Sequence, residues 1–242
     1  MRRVPILLYH WFRSERSAWR SRSPQLEISA ALFERQLGDL KRRGYQTVSL
    51  RQAFIAPEPL PPRPIVLTFD DGTLDFWQQA RPLLEARGFR ATLFVVTGGV
   101  GGASVWDRDL GEPARPLMSW AQLRELEQAG YEIGSHTDTH RLLPGLSAAD
   151  ALEELVESRR RLEQELGAAA DFLAYPRGAY RAEHLELARR AGYRGACAVI
   201  LRGRDLLRSK LFALQRMPIK GTESMARFRA RLRLARWVPI GS

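Results

Sequence analysis

Residues 64–76 read PIVLTFDDGTLDF. Strand-forming residues of nearly continuous apolar character run to Phe69 and end abruptly in Asp70-Asp71-Gly72. A strand that is apolar on both faces belongs in a sheet covered on both sides, the usual setting of parallel sheets. Two adjacent carboxylates at the end of such a strand repel each other and lose hydration, and a cation offsets both penalties. The stretch therefore predicts a buried parallel strand with a charged site at its carboxyl end.

Similar runs occur at VPILLYH (4–10), YQTVSL (45–50), ATLFVV (91–96), YEIGSH (131–136), DFLAYP (171–176), YRGACAVI (193–200) and LQRMPI (214–219). Helical patterns lie between several of them. Leu32, Phe33, Leu37 and Leu40 share one face of a helix that stops at Gly44. Others run from the cap Ser119 to Gly130, from Ser147 to Gly167, and through RAEHLELARRAG to Gly192. Strands alternating with helices predict βαβ units in a barrel or an open doubly wound sheet. The proline-rich APEPLPPRP (56–64) reads as a rigid connection. Residues 97–118 form a long loop over the site mouth, and their glycines match no phosphate-binding spacing.

The 242-residue chain has an ordinary apolar fraction of 45% but a net charge of +11, nearly all of it arginine. Lysine occurs only at Lys41, Lys210 and Lys220. Clusters at Arg2-Arg3, Lys41-Arg42-Arg43 and Arg159-Arg160-Arg161 read as solvated surface, and no nucleic-acid motif accompanies them. The single cysteine, Cys197, excludes an intramolecular disulfide and reads as a buried small hydrophobe. The N-terminal apolar run is too short for a signal peptide, and no segment has transmembrane length, so the expectation is a cytoplasmic protein. The basic C-terminal pattern MARFRARLRLARW (225–237) predicts a helix with Phe228, Leu232 and Ala235 on one face. Packing on the core is the favoured reading, with peripheral contact to an anionic inner membrane face as the alternative.

A metal site completes the argument from Asp71. In GSHTDTH (134–140), His136 and His140 are two of only four histidines, spaced to lie on one side of a helix or a turn of similar pitch. Two imidazoles and a carboxylate make a facial site with open positions. Tyr9-His10, Asp70-Asp71, Ser135-His136 and Tyr175-Pro176-Arg177 all end strand-like runs, which in parallel α/β folds converge on one face.

Together TFDDG, HTDTH and AYPRG resemble the polysaccharide deacetylase family, the NodB-homology or family 4 carbohydrate esterases. ILLYH, PLMSWAQLRELEQAGYEIGSHTDTH and ARRAGYRGA extend the likeness over about residues 4–220. The resemblance implies a distorted (β/α) barrel of about seven parallel strands, with 1–242 one domain and 221–242 a basic C-terminal segment. It implies metal-dependent removal of N-acetyl groups from an N-acetylhexosamine-containing glycan or glycoconjugate. Asp70 takes the place of the general base. Asp71, His136 and His140 take the places of ligands to a divalent ion, zinc first, with cobalt or nickel as alternatives. Thr137 fits the hydroxyl position between the histidines.

The early YH and the AYPxG pattern resemble the subgroup acting on exopolysaccharides such as poly-N-acetylglucosamine, which points to His10 as an acid or a substrate-holding residue. Tyr175, Arg177 and Trp106 are the candidate substrate contacts, the tryptophan by stacking on a sugar ring. Two family features are absent. Ala174 stands where the third motif carries an arginine, so the arginine partner of Asp70 is expected to be missing, with Arg177 as a substitute. The C-terminal leucine-x-histidine is also lacking, and the remaining His184 reads as a surface helix residue. These departures keep two other readings open: an amidase acting on a non-sugar substrate, and a catalytically impaired glycan-binding protein.

Overall fold

Seven of the eight apolar runs close into a ring of parallel strands. The computed structural model describes residues 4–13, 21–56, 58–199 and 210–235. Its strands are β1 (Ile6–Tyr9), β2 (Trp11–Phe12), β3 (Glu27–Ile28), β4 (Gln46–Thr47), β5 (Pro64–Phe69), β6 (Thr92–Val95), β7 (Glu132–Ser135), β8 (Phe172–Ala174), β9 (Gly195–Val199) and β10 (Leu214–Pro218). The ring runs β1-β10-β9-β8-β7-β6-β5, and β5 closes it by pairing Val66–Phe69 with Ile6–Tyr9. The run at 45–50 is not a stave of the barrel. Only Gln46 and Thr47 pair, with Pro64 and Ile65, because Ser49 already caps the next helix through a reciprocal bond pair with Gln52. Outside the ring, β2 and β3 form a small parallel pair with Trp11 opposite Glu27.

The helices are α1 (Ala30–Arg42), α2 (Leu50–Phe54), α3 (Arg81–Glu85), α4 (Trp120–Gln128), α5 (Ala148–Leu166), α6 (Ala182–Arg190) and α7 (Met225–Ala235). Ser29, Ser119 and Ser147 cap α1, α4 and α5 with their hydroxyls. A π-helical turn over Phe76–Ala80 leads into α3. No described helix is long and apolar enough to cross a membrane. The Arg2-Arg3 pair, residue 200 of the seventh run and residues 236–242 of the basic segment lie outside the described residues.

Strand alternation sorts the core into an axis and a shell. Ile6, Val66, Phe94, Phe172, Ala174, Cys197 and Leu214 pack together in the barrel interior. The intervening Leu7, Tyr9, Leu67, Phe69, Leu93 and Val95 face outward and pack with Phe33, Leu37 and Leu40 of α1 and with Leu123 and Leu126 of α4. Leu173, Tyr175, Ala196 and Ala198 face a second outer layer under α5 and α6. Gly134 is required on the axis. A Cβ there would stand 2.8 Å from the Phe172 carbonyl oxygen and from the Phe94 ring. Cys197 is fully buried, and burial pushes its thiol up to about 12.

One side chain here differs from expectation, and the C-terminal helix packs as its pattern predicts. His184 is buried, not on the surface. It shares an inward stripe with Leu187 and Ala188, and its Nδ1 accepts the Arg181 N–H at 2.8 Å, capping α6. The apolar face of α7 is covered: Phe228 and Leu232 enter the outer core beside α1. Asp39 of α1 fastens this helix by accepting Arg229 at 2.8 Å, and it also accepts Arg43, at the end of its own helix, at 2.7 Å. Burial raises the Asp39 pKa, but these arginine hydrogen bonds outweigh burial and leave it below its usual value.

A carboxyl depressed in the folded state contributes stability above its unfolded pKa and loses it as pH falls through the folded value. Both arginines are partly exposed, so the effect is small. Asp39→Asn should lower Tm by about 2–4 °C at pH 7. In thermal melts across pH, the gap between variant and wild type should close on acidification below the ordinary carboxylate range.

Candidate active site

Asp70 is the first residue beyond β5 and continues its inward register after Val66 and Thr68. The same alternation points Arg216 of β10 to the axis after Leu214. The two meet in a forked ion pair: Arg216 Nη1 donates to Asp70 Oδ1 at 2.6 Å and Nη2 to Oδ2 at 2.8 Å. Arg216 is completely buried and Asp70 nearly so. Arg216 also donates from Nε to the Ala198 carbonyl at 3.3 Å and from Nη1 to Thr68 Oγ1 at 3.3 Å. Burial alone raises the Asp70 pKa. The Arg216 charge and hydrogen bonds reverse that and bring it to about 2, so the carboxylate is ionised at neutral pH. The missing partner of Asp70 is thus present, on a strand that carries no family motif, and Arg177 does not supply it.

Asp71 turns away from its neighbour. Its backbone is left-handed at φ 74°, as is Gly72 at φ 74°. A Cβ on Gly72 would also press on Val95 at 3.2 Å. Asp71 Oδ1 lies 3.6 Å from His136 Nε2 and 3.7 Å from His140 Nε2. The three donors fall within 4.8 Å of one another, and all three residues are buried. The second oxygen, Oδ2, accepts the indole N–H of Trp11 at 2.7 Å.

The histidines do not ride a helix. His136 follows β7 directly, and His140 closes a loop in which Thr137 and His140 are left-handed at φ 65° and 64°. The loop is held at several points. His140 N donates to Thr137 Oγ1 at 3.0 Å, and Thr137 N to Ser135 Oγ at 3.1 Å. Glu154 of α5, itself buried, accepts the Asp138 and Thr139 amides at 3.1 and 2.9 Å and also the Thr139 hydroxyl. With Arg177 at φ 54°, the four non-glycine left-handed residues among those described all stand at the ends of β5, β7 and β8. Such strain persists where surrounding contacts over-determine it, and it clusters at functional sites.

The donor set fits a divalent cation. Ligands about 2.1 Å from a shared ion at tetrahedral angles stand about 3.4 Å apart, close to the separations of Asp71 Oδ1 from the two imidazoles. His136 Nδ1 lies 2.7 Å from the Ala174 carbonyl oxygen, which can only accept, so Nδ1 carries the proton and Nε2 offers a lone pair toward Asp71. Without a cation, burial disfavours charge on Asp71 and on His140. Burial, and then the Asp70 charge, push Asp71 up to about 7. Burial, followed by the neighbouring His136, takes His140 down to about 2.

The remaining candidates divide. His10, at the end of β1, is half-buried. Burial lowers its pKa to about 4 against the attraction of Asp70. The Trp106 ring lies 4.9 Å from that of His140, which brings the 97–118 loop onto the site. That loop is folded, with short 3-10 turns at Thr97–Gly99 and Arg108–Leu110. Arg177 is half-exposed and paired with Asp107 of the same loop. Tyr175 is not at the site. As the next residue after inward-facing Ala174, it points outward, fully buried, stacks on Tyr180 and donates to the Phe212 carbonyl at 3.1 Å. Trp11, Glu154 and Arg216 carry no motif signal. For Arg216 the one clue was a charge within an apolar strand run.

Comparison with known proteins agrees with this arrangement. Residues 58–196 match the family described as polysaccharide deacetylase. The chain is 30% identical over 194 residues to YxkH of Bacillus subtilis (strain 168), which carries a polysaccharide deacetylase name; the match covers 79% of this chain and 62% of that protein. It is 26% identical over 176 residues to a poly-beta-1,6-N-acetyl-D-glucosamine N-deacetylase of Staphylococcus aureus (strain MSSA476), covering 68% of this chain and 58% of that one. The chain thus spans less than two thirds of the length of these relatives. Its fold matches the Streptococcus pyogenes deacetylase PplD, solved in complex with acetate, at a TM-score of 0.74 and 24% identity over 94% of this chain and 97% of the other.

Removing Arg216 would strand a buried carboxylate. Arg216→Met should destabilise the protein by about 3–5 kcal/mol in denaturant titrations. Adding Asp70→Asn to that background should recover much of the loss, because no unpaired charge then remains.

Proposed function

We propose, because this chain belongs to the polysaccharide deacetylase family, that it is a divalent-metal-dependent hydrolase removing N-acetyl groups from an N-acetylhexosamine-containing glycan or glycoconjugate. The observation that carries this reading is a single juxtaposition. An ionised carboxylate clamped by Arg216 stands 3.8 Å, Asp70 Oδ2 to His136 Nε2, from a buried Asp-His-His donor set.

Hydrolysis of an amide needs an activated water, a polarised carbonyl and a proton for the leaving amine. Asp71, His136 and His140 would hold a divalent ion, with zinc the first choice for this donor set, and it would supply Lewis-acid polarisation and acidify a water. Asp70 takes the proton from the attacking water and returns it to the departing amine nitrogen, so the base ends the cycle ionised again. Arg216 holds both its oxygens, so the carboxylate meets the water in one orientation and is never a free, mobile base. His10 is neutral at pH 7 in this environment, and we assign it a hydrogen bond to the substrate. Trp106 offers a ring for sugar stacking beside His140, and Arg177, tied to Asp107, borders the same mouth.

The impaired-binder reading rested on a missing arginine and a missing C-terminal histidine; Arg216 answers the first, and the second still favours that reading. The poly-N-acetylglucosamine name of one relative supports a β-linked N-acetylglucosamine polymer or its precursor as the substrate class.

Acetate release from N-acetylglucosamine oligomers tests the proposal. The zinc-loaded protein should release acetate. Asp70→Asn should keep its metal and lose about 10²–10⁴-fold in kcat. His136→Ala should lose both metal and activity. Metal-loaded wild type that frees no acetate from oligomers of any length would sink the glycan assignment. His10→Gln should raise KM more than it lowers kcat; an equal loss in kcat and kcat/KM would instead make His10 a participant in the transition state.

A further inference from the structure

The mini-sheet outside the barrel has no part in the reaction as described, yet it delivers one side chain to it. Trp11 of β2 is 4% exposed, and its indole N–H donates to Asp71 Oδ2 at 2.7 Å. A buried indole N–H needs an acceptor. This one takes a carboxylate oxygen of the residue whose other oxygen faces His136 and His140.

The ring is itself fixed in place. The Arg115 guanidinium lies over it, 4.1 Å from its centroid. Glu27, opposite Trp11 in the β2–β3 register, accepts Arg115 Nη2 at 2.6 Å. Arg115 is anchored in turn through its backbone: its amide donates to Ser104 Oγ at 2.9 Å, and its carbonyl accepts the Ser104 amide at 2.8 Å. A cation over the π face draws electron density from the indole and strengthens its N–H as a donor. Nothing in packing alone calls for this alignment.

We infer that Trp11 is a positioning residue for Asp71: its N–H occupies one carboxylate oxygen and leaves the other as the only ligand atom toward His136 and His140. The inference rests on the reading of Asp71 as a metal ligand. A carboxylate free to turn can bind an ion through both oxygens, which fills a coordination position that water and substrate need. Trp11 closes off that mode. It also helps to hold the left-handed backbone of Asp71 by tying the side chain to a neighbouring element. Outer-shell partners of this kind typically change metal affinity by about 10–100-fold.

Cobalt(II) is the probe, because its visible spectrum reports coordination number without any turnover. Wild type, Trp11→Phe and a protein with benzothienylalanine at position 11, in which sulfur replaces the N–H in a ring of the same shape, are titrated with cobalt. Affinity is read by chelator competition and metal-free Tm is read in parallel. Both variants should bind cobalt about 10-fold more weakly, with a weaker visible band from a higher coordination number, while the benzothienyl protein keeps its metal-free Tm. A benzothienyl protein with wild-type affinity and spectrum would overturn the inference and leave the metal site standing. Wild type that binds no cobalt through Asp71 would overturn both the inference and the reading beneath it.

Discussion

The ion pair between Arg216 and Asp70 is the constraint on which the top of this barrel depends. Neither charge can be buried alone, and the two come from strands on opposite sides of β1. Their meeting therefore requires the ring to be closed, with β1 paired to β5 on one edge and to β10 on the other. Thr68 adds a tie between them. Its hydroxyl donates to the Leu7 carbonyl and accepts Arg216. Closure of the fold and presentation of the Asp70 carboxylate are thus one event. The pair also makes the Asp70-Asp71 sequence tolerable. Asp70 is neutralised from the axis, so the adjacent Asp71 is left to the two histidines and Trp11.

The strain in the site follows from this division. A regular strand would throw Asp70 and Asp71 to opposite faces, one into the axis and one into the outer shell. Left-handed backbone at Asp71 and Gly72 breaks the alternation and brings the second carboxylate back to the site. The His136–His140 loop uses the same device at Thr137 and His140, with Glu154 and Ser135 taking up the amides that the turn frees. Asp tolerates this conformation better than most residues, and the others depend on the anchoring contacts around them.

Much of this was legible in the chain. Continuous apolar runs of strand length, glycines past helix ends and serine caps mark local physics, and local physics survives folding here. The short runs with charged or imidazole ends located Asp70, Asp71, His136 and His140 because each is tied to a strand terminus. Other residues answer to partners far away. Arg216 is 146 residues from Asp70, and no spacing rule links them. Trp11 matters through one N–H whose acceptor is set by tertiary contact. Two misreadings were avoidable on period alone. Tyr175 is adjacent to inward Ala174 and so must face outward in a strand. His184 lies three and four residues before Leu187 and Ala188, on the buried stripe of α6.

Relocation of the arginine shows what the site requires. The Asp70 carboxylate needs a cation on the barrel axis at the level of the strand ends. It does not need that cation on any particular strand, since parallel staves in register offer equivalent inward positions around the ring. Ala174 on β8 and Arg216 on β10 both face this interior and are both fully buried, in a core packed too densely to leave spare volume. A small residue at 174 is then the complement of a long one at 216. The Ala174 carbonyl is also put to use, fixing the tautomer of His136. The departure from the family pattern is therefore one arrangement distributed over two strands. Judging such a site by a single motif position confuses the address of a charge with its presence.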